Sequence, residues 1–312
     1  MTLPANLAAR MKLPVIASPM FIVSQTELVL AECRAGIVGA FPSLNARGEG
    51  EFERWLIRLN EELTGEDAPF AVNLIVHRSN PRLDEDLALC VKYKVPIVIT
   101  SLGAQVHVNE AIHSYGGIVL HDVIDNRFAK KAIEKGADGL IAVAAGAGGH
   151  AGTLSPFALM QEIRQWFDGP VALSGSIASG SAVLAAQAMG ADLAYIGSAF
   201  IATEEAVAVA EYKQMIVDSA ASDILYTDHF TGVHGNYLRP SITRAGLDPD
   251  NLGTKADMDF GAAVEPGAKA WKDIWGCGQG IGAIGAVVPA AERVAQLARE
   301  YAEAKRRLCG QG

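Results

Sequence analysis

The sequence predicts an α/β chain folded as a (β/α)8 barrel, with a lid-like insertion after the eighth strand and a C-terminal helix. Three observations lead there. Eight short apolar runs recur between Val15 and Phe200. The segments between them, such as 127–135, carry apolar residues at helical spacing with charges on the other face. Glycine-rich turns follow the sixth, seventh and eighth runs, whereas the rival architecture, an open doubly wound sheet, concentrates them after the first strand.

Taken in order, the runs are 15–20, 37–41, 70–76, 97–102, 118–123, 140–145, 171–176 and 193–200. Such continuously apolar runs suit parallel strands covered on both faces. Beyond Phe200 the pattern changes. Residues 205–220 read as a helix, and 226–266 are rich in Gly, Pro, Asp and Asn without periodicity. That stretch is too long for an ordinary loop and reads as a lid or small excursion. A glycine-rich segment, 276–282, precedes a strongly helical end at 287–307. The expected division is a barrel core at 1–207, a lid or substrate-side excursion at 208–280, and a C-terminal helix packing on the barrel at 281–312.

The 312 residues are enough to bury a large core, and 50% hydrophobic against 20% charged residues fits a well-packed globular chain. A net charge of -9 argues against nucleic acid as a partner, since phosphate backbones call for a basic surface. No apolar run approaches the ~20 residues that span a bilayer, so no membrane partner is expected. The start lacks a signal-peptide core, which makes the cytoplasm the expected location. Cys33, Cys90, Cys277 and Cys309 form no metal-like or CxxC spacing and read as inert thiols.

Active sites of such barrels lie at the C-terminal ends of the strands. Met20, Asn73, Ser101, His150, Ser176 and Ser198 fall at or near those ends, on different strands that converge on one mouth. The segment Gly146-Ala147-Gly148-Gly149-His150 follows the sixth run. Its glycines leave backbone bare for a flat ring, and an imidazole is readily tuned for proton exchange near neutral pH. Ser174-Gly175-Ser176 and Ile196-Gly197-Ser198 supply two glycine turns after strands seven and eight, where barrels commonly hold a phosphate. An amide in an apolar strand, Asn73 either completes a structural network or contacts a ligand at the mouth. Asp122 is read as orienting His121 or a helix start. The remaining histidines, 77, 107, 113, 229 and 234, show no metal spacing; His107 and His113 are expected on an exposed helix face. No GxSxG elbow is present, which disfavours serine hydrolysis.

Together these residues resemble the nitronate monooxygenase family, the former 2-nitropropane dioxygenases, which are FMN-dependent TIM-barrel oxidoreductases. The resemblance runs from Pro14-Val15-Ile16-Ala17-Ser18-Pro19-Met20 to Trp275-Gly276-Cys277-Gly278-Gln279-Gly280. It is most specific where Ala132-Ile133-Glu134-Lys135-Gly136-Ala137-Asp138-Gly139 leads into Ala147-Gly148-Gly149-His150. The resemblance implies FMN as cofactor, with a small-molecule substrate and O2 as partners, and a monomer or homodimer. It implies His150 as base, Met20 and Asn73 beside the flavin, and the amides of Gly175, Ser176, Gly197 and Ser198 on its phosphate. Ser101, Gly148 and Gly149 join the cofactor-binding set. The implied reaction is oxidation of alkyl nitronates or nitroalkanes. Alternatives are an NAD(P)H-dependent FMN reductase of quinones or enoyl thioesters, and a non-redox barrel for a phosphorylated metabolite. The chain departs from the family at Gly146, where a glutamate is usual. It also departs at Ser176 in place of a second glycine, and at Ser198-Ala199 in place of Thr-Arg. Each change keeps the backbone amides.

Overall fold

The computed structural model describes residues 4–252 and 274–310. A helical turn α1 (Ala5–Ala8) precedes the first strand-helix units, β1 (Val15–Ala17), α2 (Thr26–Ala35), β2 (Gly39–Pro42) and α3 (Glu51–Glu62). Then come β3 (Phe70–Ile75), α4 (Leu83–Lys92), β4 (Ile97–Ser101), α5 (Val106–His113), β5 (Ile118–Val123), α6 (Asn126–Glu134) and β6 (Gly139–Val143). A two-residue strand β7 (Gly149–His150) is followed by α7 (Pro156–Arg164), β8 (Val171–Ser174), α8 (Gly180–Ala188), β9 (Leu193–Ile196) and a helical turn α9 (Ser198–Ile201).

Eight of these strands form one parallel sheet in the order β1-β9-β8-β6-β5-β4-β3-β2. The sheet closes on itself where Ile16 bridges Val38, with Ala17 N donating to Val38 O at 2.8 Å and Val38 N to Val15 O at 3.0 Å. The chain is therefore the (β/α)8 barrel that the alternation of runs predicts. Strand periodicity sorts the side chains. Ile97, Ile99, Leu120, Ile141 and Ala172 pack inside the barrel, while Val72, Val98 and Val119 face outward beneath the helices.

The strands end sooner than the apolar runs suggest. Strand one stops at Ala17, just before Ser18-Pro19, so Met20 sits in the following loop. The eighth run breaks at Gly197, after which Ser198–Ile201 turns helical. The helix expected over 205–220 is shorter, α10 (Ala210–Asp218). The aperiodic stretch from Tyr226 contains β10 (Ile224–Thr227), β11 (Gly235–Leu238) and α11 (Arg239–Arg244), and its part beyond 252 lies outside the described residues.

These later strands join β7 in a second sheet, β10-β11-β7, laid at the barrel mouth. The excursion is stitched to the barrel rather than merely resting on it. Asn236 Nδ2 donates to Ala147 O at 2.6 Å, and Ala151 N to His234 O at 3.2 Å. Tyr226 Oη donates to Ala151 O at 2.8 Å. The C-terminal helix (Ala290–Cys309) packs on α2 and α8. It approaches α8 so closely that a Cβ on Gly180 would lie 2.1 Å from Leu297 O.

Cys33, Cys90 and Cys277 are buried free thiols, pushed up in pKa by burial, and Cys309 is exposed. His107 and His113 are exposed on α5, as their spacing suggests. Among the described residues no helix is long and apolar enough to cross a membrane.

Candidate active site

A cavity of about 1160 Å³ opens at the C-terminal ends of the barrel strands. Met20, Asn73, Ser101, Gly148, Gly149, His150, Gly197 and Ser198 line it, so the structure brings eight of the expected site residues together. Gly175 and Ser176 lie outside its lining. Ser176 N donates to Gly146 O at 3.2 Å, so that amide is already occupied and does not face the cavity as a phosphate donor. The first amide of α8 behind it is likewise taken, by the Glu300 carboxylate at 2.8 Å.

His150 is held by long-range pairing. It sits opposite Gly235 in the β7–β11 ladder, and its Nε2 lies 3.1 Å from Thr231 Oγ1. The Thr231 hydroxyl donates to Val233 O at 3.0 Å, so toward His150 it accepts. With Thr231 as acceptor, the neutral imidazole would carry its hydrogen on Nε2 and its lone pair on Nδ1. Burial pushes the His150 pKa down to about 4, which keeps the ring neutral at physiological pH.

The glycines before His150 do two different jobs. Gly146 and Gly148 make room for protein, since a Cβ on Gly146 would fall 2.1 Å from Ser176 Oγ and one on Gly148 would fall 2.8 Å from Gly278 N. Gly149 is the open one. Its φ is +65° and a Cβ there would meet nothing within 4 Å. The bare backbone beside the imidazole is therefore Gly149, while its neighbours pack against the segment around Gly278.

On the barrel side, three adjacent strands share a hydrogen-bonded chain. Asn73 Nδ2 donates to Ile99 O at 3.1 Å and to Ser101 Oγ at 2.7 Å. Ser101 Oγ in turn donates to Asp122 Oδ2 at 2.5 Å. Asn73 is thus part of a hydrogen-bonded network and also lines the cavity. The proposed pairing of Asp122 with His121 does not. Consecutive strand residues point to opposite faces, and His121 Nδ1 instead meets Thr100 Oγ1 at 2.6 Å. Burial and the nearby Lys135 push His121 down to about 4, and burial pushes Asp122 up to about 6.

Met20 is fixed by a residue that the sequence reading missed. Asn45 Nδ2 donates to Met20 O at 3.0 Å and to Ser24 O at 2.7 Å, while its Oδ1 accepts from Ile22 N at 2.8 Å. Ile22 has φ +69°, a region costly for a β-branched residue. Asn45 holds that strained turn in place. Met20 N–H itself bonds Ser24 Oγ at 3.0 Å, so its backbone serves the loop as well as the cavity wall. Local sequence offers one signal for Asn45, an amide buried in apolar surroundings. For Thr231 it offers none.

A closed barrel whose mouth gathers a neutral histidine, a high-pKa carboxyl and bare backbone defines a barrel enzyme. The nitronate monooxygenase profile matches residues 5–300, and the chain belongs to that family of oxidoreductases. A nitronate monooxygenase of Paraburkholderia phytofirmans is 28% identical over 95% of this chain and 94% of its own length. A carboxyl-CoA dehydrogenase of Rhodococcus jostii is 23% identical over 74% of this chain and 64% of its own. Among solved structures, a nitroalkane oxidase from Streptomyces ansochromogenes superposes with a TM-score of 0.82 at 25% identity, covering 97% of this chain and 100% of that one.

Proposed function

We propose that the cavity binds FMN and that the enzyme oxidises alkyl nitronates and nitroalkanes with O2. The observation that carries this reading is His150, neutral and with its Nε2 against the Thr231 hydroxyl, next to the open backbone of Gly149. The fit to a flat cofactor rests on that bare Gly149 surface and on the apolar cavity wall that includes Met20 and Ile201. Gly197 and Ser198 line the same cavity and are the proposed holders of the phosphate. FMN, when bound, supplies the electron acceptance and reaction with O2 that side chains lack.

The protein's own part is proton handling and positioning. With a nitroalkane, the C–H bond next to the nitro group breaks, its proton passes to His150 Nδ1, and its electron pair stays on the substrate as nitronate. A buried imidazolium is costly alone, but it forms beside the nitronate anion, and the pair stabilises both charges. With a preformed nitronate, the anion favours a solvent proton on His150 Nδ1, and the imidazolium so formed orients it as a hydrogen-bond donor. The excursion at 208–280 is the proposed substrate-side element, because it supplies Thr231.

The test is direct. Purified protein should show a yellow FMN spectrum and consume O2 with propionate 3-nitronate, and His150→Asn should impair nitroalkane oxidation. Colourless protein that does not take up FMN would overturn the reading.

A second reading is an FMN-dependent oxidoreductase of acyl thioesters, using NAD(P)H as electron donor. It is favoured by the cavity's volume of about 1160 Å³, above the ~300–1,000 Å³ of common ligand pockets, and by the carboxyl-CoA dehydrogenase relative. Anaerobic bleaching by NADH without nitronate turnover would select it.

A further inference from the structure

The Asn73–Ser101–Asp122 chain ends on an atom with no partner. Both Asn73 amide hydrogens are engaged, one on Ile99 O and one on Ser101 Oγ. The Ser101 hydroxyl, already accepting, sends its single hydrogen to Asp122 Oδ2. The hydrogens passed from Asn73 to Ser101 and from Ser101 onward thus run toward the carboxyl. Asp122 Oδ1 is buried and meets no hydrogen-bond partner among the described residues, yet Asp122 lines the cavity. A buried carboxyl oxygen left bare is unfavourable.

The surroundings define what Oδ1 can meet. The groups facing the carboxyl are Asn73 from β3, Ser101 from β4 and Tyr195 from β9, whose hydroxyl is held protonated by its burial and by the Asp122 charge. His121, its neighbour on β5, is turned toward Thr100. Among the described residues no lysine, arginine or histidine contributes to the state of this carboxyl, which is set by burial against the Ser101 hydrogen bond.

We propose that Asp122 is a cofactor-contacting residue, whose Oδ1 meets an acceptor atom on the edge of the bound flavin ring and holds the proton shared between them. This rests on the flavin reading above. The physical argument is desolvation. The carboxyl, poised at about 6 with the cavity open to water, loses its remaining hydration when an uncharged ring covers it, and its pKa rises further. Ring binding then draws a proton from solvent onto Asp122, and a protonated Oδ1 becomes a donor. The two buried histidines of the cavity lining, His150 and His121, are shifted in the opposite direction.

The full-length protein freed of flavin is titrated calorimetrically with FMN at pH 7, in buffers of different ionisation enthalpy, alongside Asp122→Asn. Proton uptake by the native protein should exceed that of Asp122→Asn by roughly half a proton or more. Its FMN affinity should also fall roughly tenfold relative to Asp122→Asn between pH 6 and pH 8. The substituted protein presents an N–H in place of the carboxyl proton and should keep only the pH dependence that the FMN phosphate brings. Ionisation of the FMN phosphate is common to both proteins and cancels in the comparison. FMN-induced infrared difference spectra of the native protein alone should show a protonated carboxyl band. FMN binding with equal proton uptake in both proteins, or without that band, would overturn the proposal and leave the flavin reading standing. FMN binding to neither protein would overturn both.

Discussion

A Cβ on Gly146 would lie 2.1 Å from the hydroxyl oxygen of Ser176. Gly146 and Ser176, two of the positions at which this chain departs from the pattern that the resemblance implies, are thus in contact. A glutamate at 146 cannot coexist with the Ser176 side chain as it stands. The residue also has φ +83°, in the left-handed region that favours glycine.

Gly146→Glu should therefore destabilise the protein by about 1–3 kcal/mol from backbone strain, with further overpacking of about 1–3 kcal/mol. Adding Ser176→Gly should recover the overpacking share and leave the strain. Thermal melts of the single and double variants measure both parts, and equal melting temperatures for the two would refute the contact argument.

Replacing His150 by Asn should lower kcat/KM for a neutral nitroalkane by about 10²–10⁴-fold, the usual worth of a positioned base. A preformed nitronate needs no proton removed and should lose less. Thr231→Val should lower the nitroalkane rate in the same direction but more mildly, and Thr231→Ser should restore it. Steady-state assays with the two substrate forms separate base chemistry from binding.

Stability should depend on acid in two opposing ways. His150 has its folded pKa pushed from 6.5 down to about 4, so its contribution is present above about pH 6.5 and lost as pH falls toward 4. Asp122 is pushed from 3.8 up to about 6, so its contribution is present below about pH 3.8 and lost as pH rises toward 6. The slopes oppose each other between about pH 4 and 6. Asp122→Asn should steepen the loss of stability on acidification, and His150→Asn should flatten or reverse it. Melting temperature against pH for the three proteins reads out the sign.

Asn45→Ala removes three hydrogen bonds from the turn that carries Met20 and Ile22. The expected cost is about 1–3 kcal/mol, because buried backbone groups lose their partners. FMN retention on gel filtration should fall with it, while circular dichroism keeps the barrel signal.

Much of the barrel is legible in the sequence, because each strand is a continuous apolar run and each intervening helix has its own periodicity. Strand ends are less legible: apolar residues such as Phe200 and Ile201 continue into the helical turn after Gly197. The convergence of Asn73, Ser101 and His150 on one mouth follows from strand order alone. What holds them there does not. β7 is two residues long and exists only by pairing with residues 235–236, so no local pattern announces it. Gly146 and Gly148 look like ring platforms in the sequence, yet their missing side chains make space for Ser176 and Gly278. Adjacent letters also mislead at His121 and Asp122, which sit side by side in the chain and serve opposite faces of a strand.

The tether on His150 has a consequence for the order in which the enzyme becomes competent. All eight barrel strands are complete by Ile196, but the strand carrying the imidazole finds its partner only at Gly235, and its hydrogen-bond acceptor only at Thr231. A ribosome that has released the barrel has therefore not yet released what sets the His150 ring. During synthesis the chain passes through a stage in which the scaffold can form while the imidazole lacks its partners, and translation of some forty further residues supplies them.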